Sequence, residues 1–250
     1  MVIFIFFAAT WYLSLFSQTF FQHRYAAHGA FTMSKGWERF FFIFTYITQG
    51  SSYMSPATYA IMHRLHHAHT DTELDPHSPS NSSNIFSMMW DTRTVYQQIL
   101  HNRIPVEPRY TKNLPVWKSF DKFANSAISR LMWVVGYTLF FVAFATSPYQ
   151  YLLLPIVISM GAFHGAIVNW FAHKYGYINF RLRNTAMNLL FVDVLMLGES
   201  YHNNHHKHPS SINFGKRWFE IDPVYYIIKT LSFIKVITIV NFPKRQPAIS

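Results

Sequence analysis

Uncharged apolar stretches recur along this chain at lengths that soluble helices do not need. Met1 to Phe21, MVIFIFFAATWYLSLFSQTFF, carries no charge over a length that crosses a hydrocarbon core of about 30 Å as a helix. It has neither the basic n-region nor the small-residue cleavage site of a signal peptide, so the pattern predicts a span at 1–21. Phe40 to Ile61 is also apolar but is interrupted by Gln49-Gly50-Ser51-Ser52 and by Pro56. Neither half is long enough to cross alone, and a re-entrant or interfacial segment is expected over 40–61. Leu131 to Thr146 and Tyr151 to Ala172, joined by Ser147-Pro148-Tyr149-Gln150, predict a transmembrane hairpin with spans at 131–146 and 151–172. Ala186 to Gly198 contains Asp193, and Val224 to Val240 contains Lys229 and Lys235; both are expected to lie on the membrane or against the protein. The pattern therefore predicts one domain over 1–250. It is an all-α integral membrane protein with three spans, capped by a helical cytosolic domain built from 62–130 and 173–250.

Charge orients this arrangement. Of the 21 Lys and Arg, none lies in the turn at 147–150, and cytoplasmic flanks collect basic residues. All of them share one face if Met1 starts outside, the first span enters, 40–61 does not cross and the hairpin goes out and back. The formal net charge of +10 is then a consequence of topology. No basic run with interleaved aromatics points to nucleic acid. Half the residues are hydrophobic and only 13% are charged, which excludes a solvated, disordered chain. With no cysteine, disulfides, iron–sulfur clusters, thiolate-ligated haem and a cysteine nucleophile are excluded as well.

The 14 His are the informative residues, because they cluster at the expected cytoplasmic ends of the apolar segments. His23 and His28 stand in HRYAAH, His63, His66 and His67 in HRLHH, and His202, His205 and His206 in HNNHH; NWFAH supplies Asn169 and His173. Residues three and four apart share a helix face, so each HxxHH can offer imidazoles to one or two ions. Asn169 and His173 are also four apart. His23 and His28, five apart, lie about 140° from each other on an α-helix, which leaves their geometry open. His69, His77, His101, His164 and His208 are expected to be ordinary surface or core histidines.

Nine neutral imidazoles are too many for one zinc and the wrong donors for magnesium or calcium. They suit two ions of the iron, copper, zinc or nickel kind. A carboxylate-rich di-iron site would need two Glu-x-x-His pairs and two further Glu, and only Glu199 with His202 fits. The histidine-rich alternative is favoured. Neutral ligands cancel none of the metal charge, so carboxylates are expected to orient the imidazoles from behind, with Asp71, Asp75, Asp193 and Glu199 as candidates.

HRYAAH, HRLHH followed by DTELDPHS, NWFAH and GESYHNNHH together resemble the integral-membrane fatty acyl-CoA desaturases, in particular the stearoyl-CoA (Δ9) branch. The resemblance runs from about Gln22 to Pro209. It implies two iron ions held by His23, His28, His63, His66, His67, His173, His202, His205 and His206, with Asn169 near one iron through water. It also implies O2 as co-substrate, a fatty acyl-CoA converted to a cis-monoene, and a separate electron donor of ferredoxin or cytochrome b5 type with its reductase, since no HPGG haem motif is present. The family usually has two spans before its first histidine box, whereas one precedes it here, so a shortened N-terminus or a missing span is expected.

An unactivated methylene has no acidic proton and no leaving group, so a metal–oxygen oxidant is needed. A dry apolar slot beneath the metals would suit an acyl tail, and Arg93, Arg103, Arg109, Lys112, Lys118 and Lys122 could meet headgroup phosphates. A histidine-box hydroxylase or an acyl-lipid desaturase would use the same site. A metal transporter or sensor would want ionisable residues within the spans, which are almost free of them.

Overall fold

The computed structural model describes residues 1–240; residues 241–250 of the expected polar segment, Lys244 and Arg245 among them, lie outside the described residues. The first helix, α1 (Val2–Ser17), continues without a break into a π-helical segment, Gln18–Ala27. Then follow the strand β1 (Phe31–Met33), α2 (Lys35–Gln49), α3 (Pro56–His69), α4 (Ile85–Leu100), α5 (Lys118–Ala124), α6 (Ala127–Phe144), α7 (Leu154–Ile158), α8 (Met160–Asn169), α9 (His202–Lys207), α10 (Pro223–Phe233) and the strand β2 (Ile237–Ile239). Among the described residues the fold is all-α apart from isolated bridges and one antiparallel ribbon, in which Phe31 pairs with Ile239 and Met33 with Ile237.

Val2–Ala27 and α6 are long and apolar enough to cross a membrane. The second arm of the expected hairpin is not one straight helix: Pro148–Ile158 and Met160–His173 meet at an angle of 70°. The break is stabilised from outside. Backbone groups at membrane depth must find partners, and the Ile158 carbonyl at the bend accepts the hydroxyls of Ser51 (2.6 Å) and Ser52 (3.1 Å). Those serines belong to the interrupted 40–61 segment, so two irregular stretches satisfy one another.

That segment divides where the sequence predicts. Ser34 caps α2, Gly50 ends it with φ +53°, and Pro56 opens α3 after a 3-10 turn at Gly50–Ser52. At Gly50 a Cβ would lie 1.8 Å from Tyr137 Oη on α6, so only glycine permits this approach. Ala186 to Gly198 forms turns and not a helix; Phe191, Val192, Val194 and Leu195 are exposed, and Trp11 of the first span donates to the Leu195 carbonyl at 3.0 Å. Val224 to Val240 divides into α10 and β2.

Phe20, Phe21, Phe31, Phe41, Phe42, Val224 and Ile228 form one core that joins the end of the first helix to α2, the ribbon and α10. Arg24 and Asp222, both wholly buried, pair across it at 2.8 Å. Ile61, Met62, Tyr96 and Ile99 join α3 to α4. These two cores fix the polar ends of the first helix and of α3.

Replacing both Ser51 and Ser52 by Ala should leave the Ile158 carbonyl unpaired, at about 1–3 kcal/mol. The expected result is a fall of several degrees in thermal midpoint in detergent, with the single variants milder because one hydroxyl remains. An unchanged midpoint in the double variant would contradict this account of the bend.

Candidate metal centre

All nine clustered histidines meet. His23, His28, His63, His67 and His205 bring their ligating nitrogens within 4.8 Å of one another, and so do His66, His173, His202 and His206. The two HxxHH motifs divide between the groups in opposite ways. From α3, the i and i+4 residues His63 and His67 enter the five-histidine group and His66 the other. From α9, His202 and His206 enter the four-histidine group and His205 the first.

The π-helical turn settles the His23–His28 geometry. Its i to i+5 hydrogen bonds, His28 N–H to the His23 carbonyl at 3.1 Å among them, set residues five apart one above the other. The two rings lie 4.9 Å apart, not on divergent faces.

The inner nitrogens cannot be satisfied by protons. His205 Nε2 lies 3.0, 2.8 and 3.4 Å from the Nε2 atoms of His23, His67 and His63. In the other group, His202 Nε2 lies 2.9 Å from His173 and 3.0 Å from His206, and His66 lies 3.1 Å from His206. A neutral imidazole carries one proton, and in three rings the outer nitrogen holds it. His23 Nδ1 donates to Glu199 at 2.7 Å and His66 Nδ1 to Asp75 at 2.9 Å. His173 Nδ1 donates to Thr185 Oγ1 at 3.1 Å, while that hydroxyl donates to Asp71. Bare lone pairs therefore converge. Neighbouring ligands of an ion bonded at about 2.1 Å are separated by about 3 Å, the spacing seen here, so the donor set fits two metal ions.

Burial favours the neutral form. It is the main cause holding the His28, His63, His66, His67, His202, His205 and His206 pKa values below the ordinary histidine range, with repulsion between neighbouring imidazoles next. Burial would push Glu199 up, but His23, Arg24 and Thr19 outweigh it and leave it below the ordinary carboxyl range.

The helix that carries HNNHH is six residues long, too short to persist alone. Its asparagines hold it: Asn203 donates to the carbonyls of Phe180 and Ala186, and Asn204 to the Phe214 carbonyl and Glu220. Gly176, at φ +127°, lets Asn188 come close enough to bridge Tyr177 and Tyr201; a Cβ there would lie 2.2 Å from the Asn188 carbonyl oxygen.

Three of the four candidate carboxylates, Asp71, Asp75 and Glu199, stand behind imidazoles, Asp71 mainly through Thr185. Asp193 does not. It accepts the backbone N–H groups of Met196, Gly198 and Ser200, because the turn that precedes the third histidine motif has no other partners for them. Glu199 stands on His23 Nδ1 and belongs to neither ligand group, so the carboxylate-rich Glu-x-x-His arrangement is not the one formed. Sequence reasoning missed His77: it is buried, stacks on His66 at 4.3 Å and groups with His66 and Asp75. Its only signal was its place two residues after Asp75.

A cavity of about 530 Å³ reaches from His23, His63 and His202 past Met62, Met89 and Ile158. This is within the range of ligand-binding cavities. Asn169 and His77 line it beside His202, and Arg93 lines it while stacking on Trp90. Arg103, Arg109, Lys112, Lys118 and Lys122 do not. Arg109 pairs with Glu107 at 2.9 Å. Arg130 also lines the cavity, but donates to the carbonyls of Ser51 and Tyr53.

The fatty acid desaturase family model matches residues 1–232. A Delta-9 acyl-lipid desaturase of Arabidopsis thaliana is 28% identical over 227 residues, covering 90% of this chain and 70% of that protein. An acyl-CoA 5-desaturase of Anemone leveillei is 28% identical over 234 residues, covering 92% and 68%. An sn-1 stearoyl-lipid 9-desaturase of Synechocystis is 29% identical over 231 residues, covering 88% and 66%.

Asp75→Asn should keep the volume but weaken the orientation of His66. Metal retention against a chelator is expected to fall about 10- to 100-fold, measured by metal analysis after dialysis, whereas Asp193→Asn should destabilise the protein without a selective loss of metal. Equal metal retention in wild type and Asp75→Asn would contradict the role given to Asp75.

Proposed function

Because this chain belongs to the fatty acid desaturase family, we propose that it is a single-domain membrane enzyme that desaturates a saturated fatty acyl chain to a cis-monoene. It would use O2, two iron ions held by the nine histidines, and two electrons from a separate carrier of ferredoxin or cytochrome b5 type. The observation that carries this reading is the convergence of nine imidazoles, six of them buried, beside a largely apolar cavity. Bound iron would supply the oxidising power that an unactivated methylene requires. The protein does the rest: Asp75, Glu199 and Thr185 fix the imidazoles, the cavity walls hold the chain and exclude water, and Asn169 stands at the cavity wall for a water on one ion. With the Lys and Arg on one side, the metal groups face the cytoplasm.

Attack at the Δ9 position of an acyl-CoA is the finer reading. A second reading, an acyl-lipid substrate, is favoured by two observations. Of the six basic residues first considered for a headgroup, Arg93, Arg103, Arg109, Lys112, Lys118 and Lys122, only Arg93 lines the cavity, and the similar proteins include acyl-lipid enzymes.

Expression in a host without its own Δ9 desaturase, with an electron donor supplied, should yield a new cis-monoene by gas chromatography with double-bond location, absent in His66→Ala. Separating the acyl-CoA pool from the membrane lipids at early times decides between the two substrates. A hydroxy acid in place of the monoene would overturn the desaturase assignment and leave the site intact.

A further inference from the structure

Dehydrogenation of the acyl chain supplies two of the four electrons that take O2 to two waters, so two more electrons and two protons must arrive from outside. Residues 1–250 hold no cysteine and no haem motif, so the electrons must reach the buried centre from outside this segment, and the desaturase reading assigns them to a separate carrier. The cavity of the candidate metal centre is reserved for substrate. A second cleft, of about 440 Å³, shares none of its lining residues and is formed by the 178–187 segment with Asn203.

Two of its lining residues touch the outer nitrogens of metal-group histidines. The Asn184 amide lies 3.4 Å from His206 Nδ1, and Thr185 Oγ1 lies 3.1 Å from His173 Nδ1. One side chain therefore separates this cleft from the four-histidine group. His206 is the partly exposed member of that group; its other three members are buried.

The exposed charge of the 174–217 stretch is all basic. Arg181 and Arg183 are exposed on the segment that forms the cleft, and Lys174, Lys207, Lys216 and Arg217 are exposed in the flanking chain. The acids of the same stretch, Asp193 and Glu199, are buried. Asp71 reaches the cleft but is engaged by Thr185 and Ser78.

We propose that this cleft is the docking site of an acidic, soluble one-electron carrier protein, and that electrons enter the four-histidine group past Asn184 and Thr185. The inference rests on the desaturase reading. The carrier loses one electron at each of two encounters, and the metal pair gains both. Complementary charge at such a rim acts mainly on the association rate and its salt dependence.

The test uses the full iron-loaded chain in nanodiscs of zwitterionic lipid, as wild type and as Arg181→Glu/Arg183→Glu. Each is reduced either by a plant-type [2Fe–2S] ferredoxin, as the acidic probe, or by photoreduced deazaflavin as a small reductant. Stopped-flow absorbance follows metal reduction and gas chromatography follows product. The second-order rate with ferredoxin should fall at least about 10-fold in the variant, and in wild type it should fall steeply with salt. Reduction and product with deazaflavin should stay within about twofold. The proposal is overturned if ferredoxin fails to reduce wild type, if the variant is reduced by it normally, or if the variant loses both reductants equally. It is also overturned if the variant's defect appears only with anionic lipid, which would make this surface a headgroup site. If wild type is reduced by both agents yet forms no unsaturated product, the desaturase reading fails while the docking result stands.

Discussion

Nine imidazoles can converge in a largely buried site only if something other than a proton satisfies their inner nitrogens. Lone pairs about 3 Å apart repel, and burial removes the water that would otherwise solvate them. The arrangement is therefore stable only as a ligand set, and the surrounding structure serves to hold it. Asp75, Glu199 and Thr185 anchor three rings from behind. Asn203 and Asn204 fasten a helix too short to stand alone. The Arg24–Asp222 pair ties the first motif to the segment that follows the third.

The same demand explains where the helices are irregular. A regular α-helix would send His23 and His28 apart; the π-helical turn aligns them. A straight α7–α8 would leave no use for the Ser51 and Ser52 hydroxyls; the bend at Ser159 takes both through the Ile158 carbonyl. The Gly50 break admits Tyr137 of α6. The π-helical turn lies at the metal groups, and Ser51, Ser52, Ile158 and Ser159 of the two other departures line the cavity.

Much of this is written in the chain. The apolar segments are legible because length and absence of charge suffice to recognise them, and the histidine spacings are legible because helical periodicity is local. The legible part stops where long-range contacts decide. Nothing near Phe31 announces that it pairs with Ile239. The 70° bend depends on serines that lie more than a hundred residues earlier in the chain. The exchange of i+3 histidines between the two groups depends on how α3 meets α9. His77 resembles any isolated histidine until folding stacks it on His66. Asp193 resembles any candidate carboxylate until the turn it serves is seen.

Whether one chain holds two metal ions through nitrogen is tested most directly by metal analysis and X-ray absorption on the purified, intact protein. Two irons per chain are expected, each with a coordination shell of nitrogen and oxygen at about 2.1 Å and no sulfur. A single ion per chain, or saturation with zinc at one of the two groups while the protein desaturates, would contradict the account.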